Sequence, residues 1–217
     1  MTDADPHAGQ GVVSAGAPRG AADAVVVALH GRGATAQGVV NLAGPLAHHG
    51  VTVVAPEAER SRWWPYAANG PVDRNEPHVS SALRAVDRVF EDVAEWGVGP
   101  ERVVVFGFSQ GASLACEYVA RHPRRYGGLA AFSGGLLGPD PTGRSFEETL
   151  DGTPALLGWG ADDDRVDTAG LRATASVLRT MDATVTDREY EGVGHAVTDE
   201  ALDAAADLVV GLLPDAE

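Results

Sequence analysis

The sequence predicts an α/β fold, a mainly parallel central sheet with helices on both faces, and three observations predict it. Short, nearly continuous apolar runs alternate along the chain with amphipathic stretches of helical period, as expected where strands are buried on both sides and the crossovers between them are helices. The 217 residues are 44% hydrophobic, enough for one compact domain to bury a core without cross-links. No repeat, low-complexity segment or change of composition divides the chain. We therefore expect a tail with a possible edge strand over 1–20, and a single domain over 21–217.

The strands are read at 24–29 (AVVVAL), 51–55 (VTVVA), 102–106 (RVVVF), 129–132 (LAAF), 155–158 (ALLG) and 183–190 (ATVTDREY). The last alternates apolar and polar residues and suits a wetter edge. A short strand at 11–14 would form an antiparallel edge. Helical patterns cover 36–49, 77–96, 110–121, 167–181 and 199–213. Over 77–96, Leu83, Val86, Val89, Phe90 and Val93 share one face, so that helix packs on the sheet. Asn75 is placed to cap it, Pro77 suits its first turn, and Gly97 suits its end. Two long connections, 56–74 and 133–152, lack a period of their own, and such loops tend to carry function. Neither is long enough for a large helical lid.

Formal net charge is -15, and all sixteen basic side chains other than histidine are arginine. An acidic surface repels phosphate, which excludes nucleic acid as a partner. The same composition suits a salt-rich cytoplasm, with codon bias in a GC-rich genome as the competing explanation. One cysteine, Cys116, rules out an intrachain disulfide, and no apolar run has the length of a signal peptide or a membrane span. A cytoplasmic protein is expected, with a homo-oligomer left open.

The chemistry is carried by Gly107-Phe108-Ser109-Gln110-Gly111, a G-x-S-x-G run between a buried strand and a helix. A serine on so sharp a turn is presented at a helix N-terminus, where developing negative charge is favoured. A serine nucleophile needs a base and an acid that orients the base. His195, in a glycine-flanked loop between the last strand and the last helix, is the expected base. Asp163 is the preferred acid, with Asp162 as the alternative, while Asp164 and Asp167 suit the start of the next helix. The remaining histidines read as solvated: His7 in the tail, His48 and His49 at a helix end, and His122 before a proline. His78 opens a helix near the site and is kept as a candidate for substrate binding.

An oxyanion hole would draw one backbone N–H from Gln110 and a second from the loop after the first strand, with Arg32 the preferred residue. The Arg32 side chain is either solvated, the preferred reading, or placed at the mouth to attract a carboxylate. Trp63, Trp64 and Tyr66 either wall the substrate pocket or anchor their loop by burial. Phe108 and Cys116 read as core.

Together, His30-Gly31-x-Gly33, GFSQGA at 107–112, Gly160-x-x-Asp163 and Gly194-His195 resemble the phospholipase/carboxylesterase family of α/β-hydrolases, which includes the acyl-protein thioesterases and small bacterial carboxylesterases. The resemblance runs from Ala24 onward. Trp63-Trp64-Pro65-Tyr66 and Asn75-Glu76-Pro77 look closest to a prokaryotic esterase branch. It implies hydrolysis of carboxylic esters or thioesters with no metal and no cofactor. Arg32 stands where the family often has leucine, and Trp159 where many members have histidine. The expected function is a serine carboxylesterase acting on small to medium esters. A thioesterase, lactone-type or lysophospholipase-type hydrolase is the alternative, and a non-catalytic small-molecule binding protein a third reading.

Overall fold

A computed structural model describes residues 5–214. Of the expected tail, residues 1–4 lie outside the described residues. Seven strands form one sheet in the order β1-β3-β2-β4-β5-β6-β7: β1 (Val12–Gly16), β2 (Ala24–Leu29), β3 (Val51–Pro56), β4 (Val103–Phe108), β5 (Gly128–Phe132), β6 (Pro154–Gly160) and β7 (Thr184–Tyr190). All neighbours are parallel except β1, which runs antiparallel to β3 with Val12 opposite Pro56 and Gly16 opposite Thr52. The doubly covered α/β sheet and its antiparallel edge follow the sequence reading.

Alternation within each strand divides the core. Val25, Val27 and Leu29 of β2 face one side with α2 (His78–Glu95), α3 (Gln110–Arg121) and α4 (Thr168–Thr180). Val26 and Ala28 face the other, with α1 (Ala36–Leu42) and α5 (Asp199–Val210). Because β2 is flanked by β3 on one side and β4 on the other, the order reverses there. Open α/β sheets bind ligands at such a reversal, outside the carboxyl ends of the strands. The loops after β2 and β4 are those that carry Arg32 and Ser109.

Two helix readings are corrected. The helix expected over 36–49 stops at Leu42 and gives way to a single 3-10 turn, Gly44–Leu46. Pro45 lacks an N–H and its ring collides with the carbonyl four residues back, so the α-helix cannot continue. Asn75 does not cap α2: its side chain accepts from Tyr66 N–H at 2.9 Å and donates to the Ala67 carbonyl, and the Glu76 carboxylate takes the Ser80 N–H instead. A third correction concerns His7, which is 1% exposed rather than solvated. Asp5 binds Ser81, Arg84 and Arg88, and this holds the segment against α2.

The connection 133–152 is fixed by Glu117 of α3, whose carboxylate is fully buried. It accepts from Leu137 N–H at 2.8 Å and pairs with Arg121 and Arg144. A buried carboxylate is tolerable only when so fully paired. Its partners position the start of the connection over the cleft described next. Among the described residues, no helix is long and apolar enough to cross a membrane.

Candidate active site

Ser109 sits between β4 and α3 with φ 56° and ψ -120°, a conformation that non-glycine residues adopt at a cost of order 1–3 kcal/mol. The turn is held by Ser109 N–H donating to the Phe132 carbonyl at 2.8 Å. Its flanking glycines are required by close approach. A Cβ on Gly107 would overlap the Gly111 carbonyl, and one on Gly111 would overlap the Leu29 carbonyl.

His195 stands on the loop after β7, its ring 4.8 Å from that of Phe108. Nε2 lies 3.0 Å from Ser109 Oγ, and Nδ1 lies 2.8 Å from Asp163 Oδ2. The other Asp163 oxygen accepts from Arg165 N–H at 3.1 Å. Burial alone would raise the Asp163 carboxyl, but the hydrogen bonds from His195 and Arg165 N–H outweigh it and hold the pKa below its ordinary value. Asp162 is exposed. Its backbone N–H donates to the Val193 carbonyl at 2.9 Å, tying the loop after β6 to the loop that carries His195.

These groups open into a cleft of about 590 Å³. Its floor holds Ser109, Gln110 and His195, and Arg32 with Gly31 forms part of one wall. Neither the Arg32 nor the Gln110 backbone amide meets an acceptor among the described residues, whereas Gly33 N–H is taken by the Ser61 carbonyl at 2.7 Å. Free amides lining a cleft, one of them at a helix N-terminus, suit a developing oxyanion.

The expected substrate-binding residues divide. Trp64 and Tyr66 line the cleft, Tyr66 at its rim with Arg74 stacked on its ring. Trp63 and His78 do not. Trp63 is fully buried beneath the loop, against the rings of His30 and His7, and the His78 ring faces His7. The Arg32 side chain is neither idle at the surface nor free at the mouth, because its guanidinium donates to the carbonyls of Trp64, Pro65 and Tyr66. Cys116 is buried as expected, and burial raises its thiol pKa. Phe108, expected in the core, is half-buried and lines the cleft beside His195. Ser133, Leu136, Arg165 and Leu171 also line it and were not anticipated. Ser133 could have been found, since it follows β5 as Ser109 follows β4.

The family model described as phospholipase/carboxylesterase matches residues 10–210. The chain belongs to that family. It is 31% identical over 138 residues to a probable carboxylesterase, SOBER1-like, of Arabidopsis thaliana, covering 64% of this chain and 52% of the relative. To acyl-protein thioesterase 1 of Eremothecium gossypii it is 28% identical over 132 residues, covering 58% and 54%. The matches therefore span about half the length of these curated relatives. A phospholipase/carboxylesterase structure from Dyadobacter fermentans superposes with a TM-score of 0.87 at 31% identity, over 93% of this chain and 96% of that one. The fold is thus the α/β-hydrolase fold, and the described residues include no large lid domain. Of the two departures from the family pattern, Arg32 reaches the cleft, while Trp159 is buried in the core away from it.

Proposed function

We propose that this chain is a serine carboxylesterase that hydrolyses small to medium carboxylic esters through an acyl-enzyme. The observation that carries the reading is the continuous row Ser109–His195–Asp163, opening beside two unengaged amides into one cleft. In the proposed cycle His195 Nε2 takes the Ser109 proton as Oγ attacks the ester carbonyl. The Arg32 and Gln110 amides stabilise the oxyanion, and His195 returns the proton to the departing alcohol. Water, deprotonated by the same His195, then attacks the acyl carbonyl and releases the acid and Ser109. Asp163 holds Nδ1 protonated and stabilises the imidazolium that forms. The row speaks against the binding-protein reading.

A thioesterase is the second reading, favoured by the likeness to an acyl-protein thioesterase. Both readings are tested by kcat/KM on matched oxygen esters and thioesters of graded acyl length. We expect oxygen esters of short to medium chains to be preferred. A strong preference for thioesters or long chains would move the assignment to the alternative.

A cytoplasmic, salt-rich setting is supported by the net charge of -15 and by the single, buried cysteine. Salt screens acidic self-repulsion within a few ångströms at molar strength. The unfolding midpoint and activity are expected to rise from low to molar salt. Equal stability without salt would assign the composition to codon bias.

A further inference from the structure

The loop 59–66 is fastened to both residues whose amides face the cleft. Trp63 N–H donates to Gln110 Oε1 at 2.8 Å, and Gln110 Nε2 donates to the Trp64 carbonyl at 2.9 Å. The Arg32 guanidinium holds the Trp64, Pro65 and Tyr66 carbonyls, while Trp63 Nε1 donates to the His30 carbonyl at 2.8 Å. On the side of the loop away from the cleft stands His7. Its Nε2 lies 2.9 Å from the Trp63 carbonyl, and its Nδ1 accepts from Glu59 N–H at 3.1 Å. Those roles require a neutral ring with the proton on Nε2. Burial, which lowers the His7 pKa, favours that state.

His7 is itself held from outside. Its N–H donates to Ser81 Oγ at 2.9 Å, and Arg88 donates to its carbonyl at 3.2 Å. Its ring meets the Trp63 indole edge-on at 5.4 Å. The contacts therefore form one path from α2 through His7 and the loop to Gln110 and Arg32. The imidazole is its narrowest point, since among the described residues no other side chain takes the Trp63 carbonyl.

We propose that His7 is a positioning residue for the acyl-transfer step: by clamping Trp63 and Glu59 it fixes the spacing of the Gln110 and Arg32 amides beside Ser109. The proposal rests on the reading of those amides as the oxyanion hole. Misplacement by about 1 Å can reduce turnover roughly 100-fold, because the donors must fit the oxyanion and not the ground state.

The test compares wild type with His7→Phe, which keeps the packing on Trp63 and drops both ring hydrogen bonds, and with His7→Gln. The glutamine amide offers a donor and an acceptor, as the neutral ring does. Should His7→Phe not fold, His7→Ala replaces it. Under conditions where circular dichroism shows the proteins folded, the phenylalanine variant is expected to lose roughly 10- to 100-fold in kcat with KM little changed. Hydrogen exchange of the Gly33 amide, held by the Ser61 carbonyl, and of the Trp63 amide, held by Gln110 Oε1, is expected to quicken, and His7→Gln to recover most of both effects. Unchanged exchange and kcat, a loss confined to KM, or a glutamine variant no better than phenylalanine would overturn the proposal. If wild type hydrolyses no ester, the esterase reading fails, and amide exchange still decides whether His7 positions the loop.

Discussion

Ser109→Ala is expected to abolish fluorophosphonate labelling and to lower kcat by roughly 10⁵- to 10⁶-fold, while the protein stays folded. Everything else in the proposed mechanism acts through Oγ, so removing that atom leaves only the binding and electrostatic contributions of the cleft. Alanine inherits the positive φ of Ser109 and keeps the strain of the turn. Ser109→Gly should be just as inactive and yet more stable than the alanine variant by about 1 kcal/mol, since glycine tolerates that backbone. Measuring labelling, kcat and unfolding midpoint on both variants checks each part. Persisting label on Ser109→Ala would place the nucleophile elsewhere.

Asp163→Asn carries the second largest expected effect, a loss of roughly 10⁴-fold in kcat, because an amide at that position favours the wrong imidazole tautomer. Asp162→Asn should change kcat little, since the Asp162 contribution is its backbone N–H to Val193. A comparable loss in both would mean that the acid is not held by one residue. Stability carries a separate signature. The pKa of Asp163 is lowered by its hydrogen bonds in the folded state, so its ionisation adds stability above the ordinary carboxylate range. That contribution disappears as pH falls through the lowered value. The difference in unfolding free energy between wild type and Asp163→Asn is therefore expected to be largest near neutral pH and to shrink in acid. Denaturant titrations across that range read it directly.

Legibility in the sequence followed the range of the forces involved. β2, β3 and β4 were plain because burial on both faces leaves an unbroken apolar run, and α2 because its stripe has helical period. Ser109 and His195 announced themselves through their flanking glycines, which report local backbone needs. The overrun of the first helix was avoidable, since Gly44-Pro45 is a local stop signal. Choosing between Asp162 and Asp163 was not a local matter: three carboxylates stand in a row, and the turn that buries only the middle one is fixed by Gly160 at the end of β6 and by Val193 on the loop after β7. His7 lay furthest from reach. Nothing in the polar segment around it has a period, and its partners Ser81 and Trp63 are 74 and 56 positions away. Likewise the chain around Trp63 could not say which aromatic rings face the cleft, because Gln110 and Arg32 decide that by gripping the intervening backbone.

The outer strand β7 carries Asp187, Arg188 and Glu189 in succession, and each is committed to a helix: Asp187 to Arg179 and Glu189 to Arg172 on α4, and Arg188 to Glu200 on α5. An open sheet border with free amides and carbonyls is a template on which another chain can grow. Here any incoming strand would have to lie among charged side chains already paired to the flanking helices. Charge placement at the border farthest from β1 thus disfavours an added strand, a guard against self-propagation that works without covering the edge.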